Sequence, residues 1–204
     1  DHLGGFDPYS SSKAAAEIAV SAWRDSFLRD AGISVASVRA GNVIGGGDWA
    51  KDRLIPDVLN ALIENSALTI RYPKAIRPWQ HVLEPLHGYL MLAEKLSGKN
   101  QRYATAWNFG PDDRDVKTVE WIVRQMASLW GNAEFHWDIE DGQILHEASY
   151  LKLDCSKAHQ KLGWSPRWTL HNALEKIVSW HKAEINNLPM REICMQQIDD
   201  YLLQ

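Results

Sequence analysis

Residues 7–38 have the pattern of one helix followed by one buried strand, which is half of a crossover unit in an α/β protein. Asp7-Pro8 is typical of a helix N-cap with proline in the first turn. Apolar side chains recur at helical spacing over 9–29, and Gly32 suits the left-handed position that ends a helix. The segment 33–38 is short and rich in β-branched residues, so we expect a buried strand there.

Beyond residue 44, predicted helices and short strands alternate after a glycine loop at 45–49. Helices are predicted at 54–64, 85–96, 118–130, 154–163, 169–186 and 191–203. Extended segments are predicted at 68–72, 104–109, 135–139 and 150–153. The fold class is therefore predicted to be α/β, with a mixed second part.

The chain lacks the glycine turn that binds dinucleotides. No G-x-G-x-x-G follows a strand, and the glycines at 45–47 have the wrong spacing and too long a loop. A doubly wound sheet needs several parallel strands joined by crossover helices, whereas residues 1–48 offer one such strand. We expect the main dinucleotide-binding segment to be missing from this chain.

Composition excludes several classes of function. The net charge of -4 leaves no basic excess for a nucleic acid partner. No apolar run approaches the roughly 20 residues of a membrane-spanning helix. Two distant cysteines do not predict a disulfide framework, so we expect a cytoplasmic protein. The eight histidines show no ligand spacing such as H-E-x-x-H, so we expect no metal site.

Tyr9 and Lys13 stand four residues apart at the start of a predicted helix, so they share a face. A tyrosine in this position can act as a general acid or base, and a neighbouring ammonium group stabilises its phenolate. Such pairs also arise by chance, and the alternative interpretation is an exposed helix start.

The sequence around Tyr9 and Lys13 favours the catalytic interpretation over an exposed helix start. The catalytic helix of extended short-chain dehydrogenases/reductases, the NAD-dependent epimerase/dehydratase family, resembles residues 7–17, which read DPYSSSKAAAE. Further segments keep the order of that family, and the resemblance covers essentially the whole chain. They are RAGNVIG (39–45), RLIP (53–56), RPWQHV (77–82), WNFGP (107–111) and LGW (162–164). The glycine-loop segment 41–56 and the segment 77–86 resemble the CDP-glucose 4,6-dehydratase branch.

This resemblance implies an NAD-dependent lyase. It would convert CDP-glucose to CDP-4-dehydro-6-deoxyglucose in bacterial surface-polysaccharide (O-antigen) synthesis. Residues 1–48 would be the end of the NAD-binding Rossmann-type domain, and residues 49–204 a smaller nucleotide-sugar-binding domain. Tyr9 would take the proton from the sugar 4-hydroxyl, and Lys13 would bind the nicotinamide ribose, so both are expected to be catalytic and to contact NAD.

The resemblance also implies residues that bind the nucleotide sugar. Some would contact the sugar-diphosphate and the others the nucleotide or the walls of the same cleft. They are Asn42, Arg53, Leu54, Arg77, Asn108 and His146. Trp49, an aromatic residue inside the glycine loop, is a further candidate for contact with the base or the sugar. Two simpler interpretations remain open, in which Arg77 is a surface residue and Asn42 caps a turn.

Two alternatives to the dehydratase remain open at this stage. A nucleotide-sugar 4-epimerase would use the same Tyr9 and Lys13. A catalytically inactive binding fragment is the other, because a chain without the dinucleotide-binding segment could hold a nucleotide sugar weakly but could not bind NAD. The family's residues for the elimination step also lie outside the motifs found here, in a Ser/Thr-Asp-Lys segment upstream of the tyrosine. We expect the 204 residues alone to be inactive. The full-length protein is expected to form a homo-oligomer, either a dimer or a tetramer.

Overall fold

The computed structural model describes residues 3–5, 7–98, 100–132, 134–140 and 150–204. The chain forms two compact units. The first comprises Asp1–Arg39, His87–Asn108 and Cys155–Trp164, and the second comprises Ala40–Leu86, Phe109–Asp154 and Ser165–Gln204.

The described elements alternate between helices and short strands. The α-helices are α1 Pro8–Trp23, α2 Leu54–Glu64, α3 Leu83–Ser97, α4 Val119–Trp130, α5 Leu170–Ile185 and α6 Met190–Leu202. The strands are β1 Ser37–Ala40, β2 Asn42–Ile44, β3 Leu68–Ile70, β4 Ile76–Arg77, β5 Trp79–His81, β6 Ala106–Phe109, β7 Lys117–Thr118 and β8 Trp137–Ile139. No described helix is both long enough and apolar enough to cross a membrane.

The first unit begins with α1, whose start follows the predicted pattern. The Asp7 carboxylate accepts a hydrogen bond from the Ser10 backbone N at 2.9 Å, and Pro8 occupies the first turn. The helix continues as a π-helical turn, Arg24–Leu28, and Gly32 has a φ of 70°. The helix predicted over 9–29 is thus an α-helix followed by a π-helical turn.

The strand predicted at 33–38 is wrong in its position and in its burial. The ladder covers β1, which starts at Ser37 and pairs with β6. Ile33 is 50% exposed and Val38 is 38% exposed. A β-branched composition favours an extended backbone, but a partner strand decides where the ladder begins.

Three pairs of short strands form in the second unit. β2 and β5 are parallel, with Asn42 opposite Trp79, and β3 and β8 are parallel. β4 and β7 are antiparallel, with Ile76 opposite Thr118. The strand predicted at 150–153 is wrong, since Tyr150 forms only an isolated bridge with Ile76.

Helices α2, α4 and α5 enclose the hydrophobic core of the second unit. Thr118 caps α4 through the Trp121 backbone N, and Thr169 forms a capping box with Asn172 at the start of α5. The buried core side chains come from these helices and the adjoining strands. They include Ile44, Val58, Leu59, Ile70, Trp79, Ile122, Val123, Met126, Leu174 and Ile177. This core supports the glycine loop between β2 and α2.

Candidate functional site

Tyr9 and Lys13 lie together on the exposed side of α1. The Lys13 Nζ is 5.5 Å from the centroid of the Tyr9 ring, and the Tyr9 side chain is 72% exposed. The four-residue spacing places both groups on one helix face, as predicted. A phenol hydroxyl beside an ammonium group can give or take a proton and can bind hydroxyl groups of a ligand.

A polar network two turns further along α1 was not predicted. The Glu17 carboxylate accepts hydrogen bonds from the Arg39 Nε at 2.8 Å and from the Ser37 hydroxyl at 2.7 Å. The hydrogen bond from Arg39 holds the pKa of Glu17 below its ordinary value, although burial opposes it. This network ties the helix that carries Tyr9 to β1.

Asn108 joins the same network at the end of β6. Its side-chain Oδ1 is 3.5 Å from the Arg39 Nη1, which is a weak hydrogen bond. Asn108 is therefore in the first unit with Tyr9, and its predicted contact with the substrate stays a prediction. His146 lies outside the described residues.

Asn42 and Arg77 are neighbours in the second unit. The Asn42 backbone N donates to the Pro78 carbonyl at 2.9 Å, one residue from Arg77. Arg77 is only 8% exposed, and its Nη1 donates to the Ile76 carbonyl at 2.9 Å. The alternative of a surface Arg77 is therefore wrong, and Asn42 is a strand residue of β2 and not a turn cap.

The loop before α2 and the first residue of that helix carry three more predicted residues. The Trp49 side chain is 47% exposed, and its ring meets the His181 ring edge-to-face at 4.8 Å between centroids. The Asp48 carboxylate accepts from the Ala50 backbone N at 3.0 Å and from the Arg53 Nη1 at 3.1 Å. Leu54 begins α2, and no side chain caps that helix start.

Two buried histidines of the second unit, His81 and His181, were not predicted as site residues. Burial lowers the pKa of His81 to about 4, with the charge of Lys176 acting in the same direction. Burial also lowers the pKa of His181 to about 4, although the Asp48 carboxylate acts against it. Both imidazoles are neutral at pH 7. No local spacing marks them, because their burial arises from contacts distant in sequence.

Glu84 is a third buried polar residue, and it has a structural role. Its carboxylate accepts from the backbone N of Trp168 at 2.8 Å, the backbone N of Arg167 at 3.0 Å and the Tyr201 hydroxyl at 2.8 Å. Burial raises the pKa of Glu84, while these hydrogen bonds act to lower it. The carboxylate ties the start of α3 to the segment before α5 and to α6.

Within the part of the chain that the structure describes, neither a metal cluster nor the groove along α6 points to another site. Within the described ranges, no group of three or more His, Cys, Asp and Glu side chains could hold a metal ion. A groove of about 640 Å³ runs along α6 and contains none of the predicted ligand residues.

Comparison with known proteins identifies the family of the chain. The family described as GDP-mannose 4,6 dehydratase matches residues 2–177. A CDP-glucose 4,6-dehydratase from Salmonella typhimurium is 53% identical over 98% of this chain and 57% of its own length. The chain spans about half the length of the curated relatives it matches. The resemblance predicted from the motifs is confirmed.

Solved structures share the fold. A dTDP-glucose 4,6-dehydratase from Bacillus anthracis, in complex with NAD, superposes with a TM-score of 0.75 at 22% identity, over 93% of this chain and 56% of its own. A UDP-glucose 4-epimerase from Thermotoga maritima with UDP-glucose gives 0.73 at 17% identity, over 88% of this chain and 55% of its own. The predicted Rossmann-type α/β fold class is confirmed.

Proposed function

Because the chain belongs to the GDP-mannose 4,6-dehydratase family, we propose that it is part of an NAD-dependent enzyme that dehydrates CDP-glucose to CDP-4-dehydro-6-deoxyglucose. The observation that carries this proposal is the 53% identity, over 98% of the chain, to a CDP-glucose 4,6-dehydratase. The dTDP-glucose dehydratases are less similar, at 28% identity or below. The difference favours the cytidine nucleotide, and the 53% identity to a dehydratase favours a dehydratase over an epimerase.

Tyr9 and Lys13 fit the reactive end of a nicotinamide cofactor. The exposed phenol can hydrogen-bond to a sugar hydroxyl, and the adjacent ammonium group can donate to the two hydroxyls of a ribose. Bound NAD supplies a hydride acceptor for C4 of the sugar. Tyr9 takes the proton of the 4-hydroxyl, and the positive charge of Lys13 stabilises the phenolate that does so.

The substrate side of the proposal rests on the second unit. We assign the diphosphate contact to Arg77, because a guanidinium group carries five N–H donors and binds such anions through a planar pair of them. The half-exposed Trp49 ring offers a face for a base or a sugar. The remaining proposed ligand residues are Asn42, Arg53, Leu54, Asn108 and His146.

The proposal extends to domains and assembly. Residues 1–48 are the end of the NAD-binding domain, and residues 49–204 bind the nucleotide sugar. The complete enzyme is a cytoplasmic homo-oligomer that acts in surface-polysaccharide synthesis. Exposed apolar side chains on α1 and its π-helical turn, among them Ile18, Trp23 and Phe27, support burial of this face in the complete protein.

Calorimetric titration of the 204-residue chain tests the substrate. We expect CDP-glucose to bind more tightly than UDP-glucose or GDP-mannose, and we expect NAD to bind weakly. Arg77→Lys keeps the charge but removes the bidentate geometry, and its matched control, Arg102→Lys, changes an exposed arginine. Equal affinity for all three nucleotide sugars would contradict the cytidine assignment. Tight, saturable NAD binding would show that these residues form the cofactor site unaided.

A further inference from the structure

The glycine loop lies directly against one tryptophan of α5. A Cβ atom at Gly46 would overlap sterically with the Trp180 indole ring. A Cβ at Gly47 would lie 3.3 Å from the same ring, and Gly47 also has a φ of 80°. Gly46 has no such unusual φ, so the close approach of Trp180 is what requires glycine there.

The next residue of α5, His181, contacts the other end of the loop. The His181 ring is fully buried and contacts the rings of both Trp49, at 4.8 Å, and Trp180, at 4.9 Å. Consecutive residues on a helix point about 100° apart. Trp180 and His181 can therefore contact two separate parts of one loop, the glycines and Trp49.

A hydrogen bond to α6 fixes the position of Trp180. Its indole Nε1 donates to the Cys194 Sγ of α6 at 3.3 Å. The Asp48 carboxylate bonds to the Ala50 N and the Arg53 side chain, which fixes the far side of Trp49. The Trp49 ring is thus held by one edge contact while about half of its surface remains open.

We propose that Trp180 and His181 are positioning residues that hold Trp49 in place to stack against the nucleotide sugar. This inference rests on the proposed function and adds to it two residues that position a ligand-binding side chain. A loop ordered before binding loses less conformational entropy when the ligand arrives, so loosening the loop weakens affinity without removing any ligand contact. Trp49 touches the ligand, whereas Trp180 and His181 act through Trp49.

Fluorine NMR of the chain labelled with 5-fluorotryptophan tests the positioning without any ligand. The Trp49 resonance is assigned with Trp49→Phe. We expect Gly46→Ala and Trp180→Leu to shift that resonance, and Trp180→Phe, which keeps a flat ring, to restore it. Gly98→Ala is the matched glycine control, because a Cβ there meets only the Lys95 carbonyl oxygen at 3.8 Å. An unmoved Trp49 resonance in folded Gly46→Ala would overturn the proposal.

Calorimetric titration with CDP-glucose, on the same variants, tests the consequence for binding. Gly46→Ala and Trp180→Leu should weaken affinity about tenfold or more, which corresponds to 1.4 kcal/mol. Trp180→Phe and Gly98→Ala should bind as the wild type does. Unchanged affinity in Gly46→Ala, despite a moved Trp49 resonance, would overturn the ligand contact of Trp49. A wild-type chain that binds no nucleotide sugar would contradict the proposed function, while the resonance shifts would still support the positioning of Trp49.

Discussion

Acidification should destabilise this protein through His181 in particular. The fold lowers the pKa of this buried imidazole from an ordinary value of 6.5 to about 4. Between these two pH values the unfolded chain binds a proton that the folded chain does not, so stability falls as pH falls. Each pKa unit corresponds to about 1.4 kcal/mol, and the full shift therefore corresponds to about 3 kcal/mol.

Urea unfolding at about pH 7, 6 and 5 measures this effect. Burial lowers the pKa of His81 over the same range, so the wild-type curve alone does not isolate His181. His181→Phe retains an aromatic ring between the tryptophans and cannot be protonated. Its unfolding free energy should fall more slowly on acidification, by up to about 1.4 kcal/mol per pH unit, than that of the wild type.

His136→Gln is the matched control, because it removes an exposed histidine in place of a buried one. The proton NMR signal of the His181 ring gives its pKa directly. Identical pH slopes in wild type and His181→Phe, or a His181 ring that titrates near 6.5, would refute the reasoning.

Three further substitutions test other parts of the structure. Glu84→Gln should lower the unfolding free energy by about 3 kcal/mol, because a neutral amide leaves donors such as the Tyr201 hydroxyl poorly satisfied, and an unchanged melting temperature would contradict this. Glu17→Gln should cost about 1 kcal/mol at pH 7, since Arg39 loses a partly exposed ion pair. Because the hydrogen bond from Arg39 lowers the pKa of folded Glu17, this difference should shrink in urea melts as the pH falls below the ordinary value of 4.5 and vanish once the folded carboxyl group is protonated. A difference that does not change on acidification would argue against an ionic origin. Arg77→Lys should weaken CDP-glucose binding at least about tenfold in calorimetry, and unaltered affinity in the folded variant would remove Arg77 from the ligand site.

Local sequence signals predicted the long elements well. The helix predicted at 54–64 coincides with α2, and Thr118 caps α4 as expected, because apolar periodicity and capping are properties of neighbouring residues. The same signals did not predict all of the strands of two or three residues. β4 and β7 were missed because a strand this short has no periodicity and is defined by its partner across the ladder.

The same distinction separates the predicted from the unpredicted parts of the site. A four-residue spacing sufficed to place Tyr9 and Lys13 on one face. The contact between the glycine loop and Trp180 joins residues far apart in sequence, so no local pattern predicts it. The glycine run was visible in the sequence, but the indole ring that requires Gly46 could be found only in the folded chain.

The mass of the product tests the central claim most directly. The complete protein that contains this sequence would be incubated with CDP-glucose and NAD, and the nucleotide-sugar product analysed by mass spectrometry. Loss of one water, abolished by Tyr9→Phe, is the result that a 4,6-dehydratase predicts. A product of unchanged mass, arising as a new isomer of CDP-glucose, would contradict the dehydratase and identify a 4-epimerase.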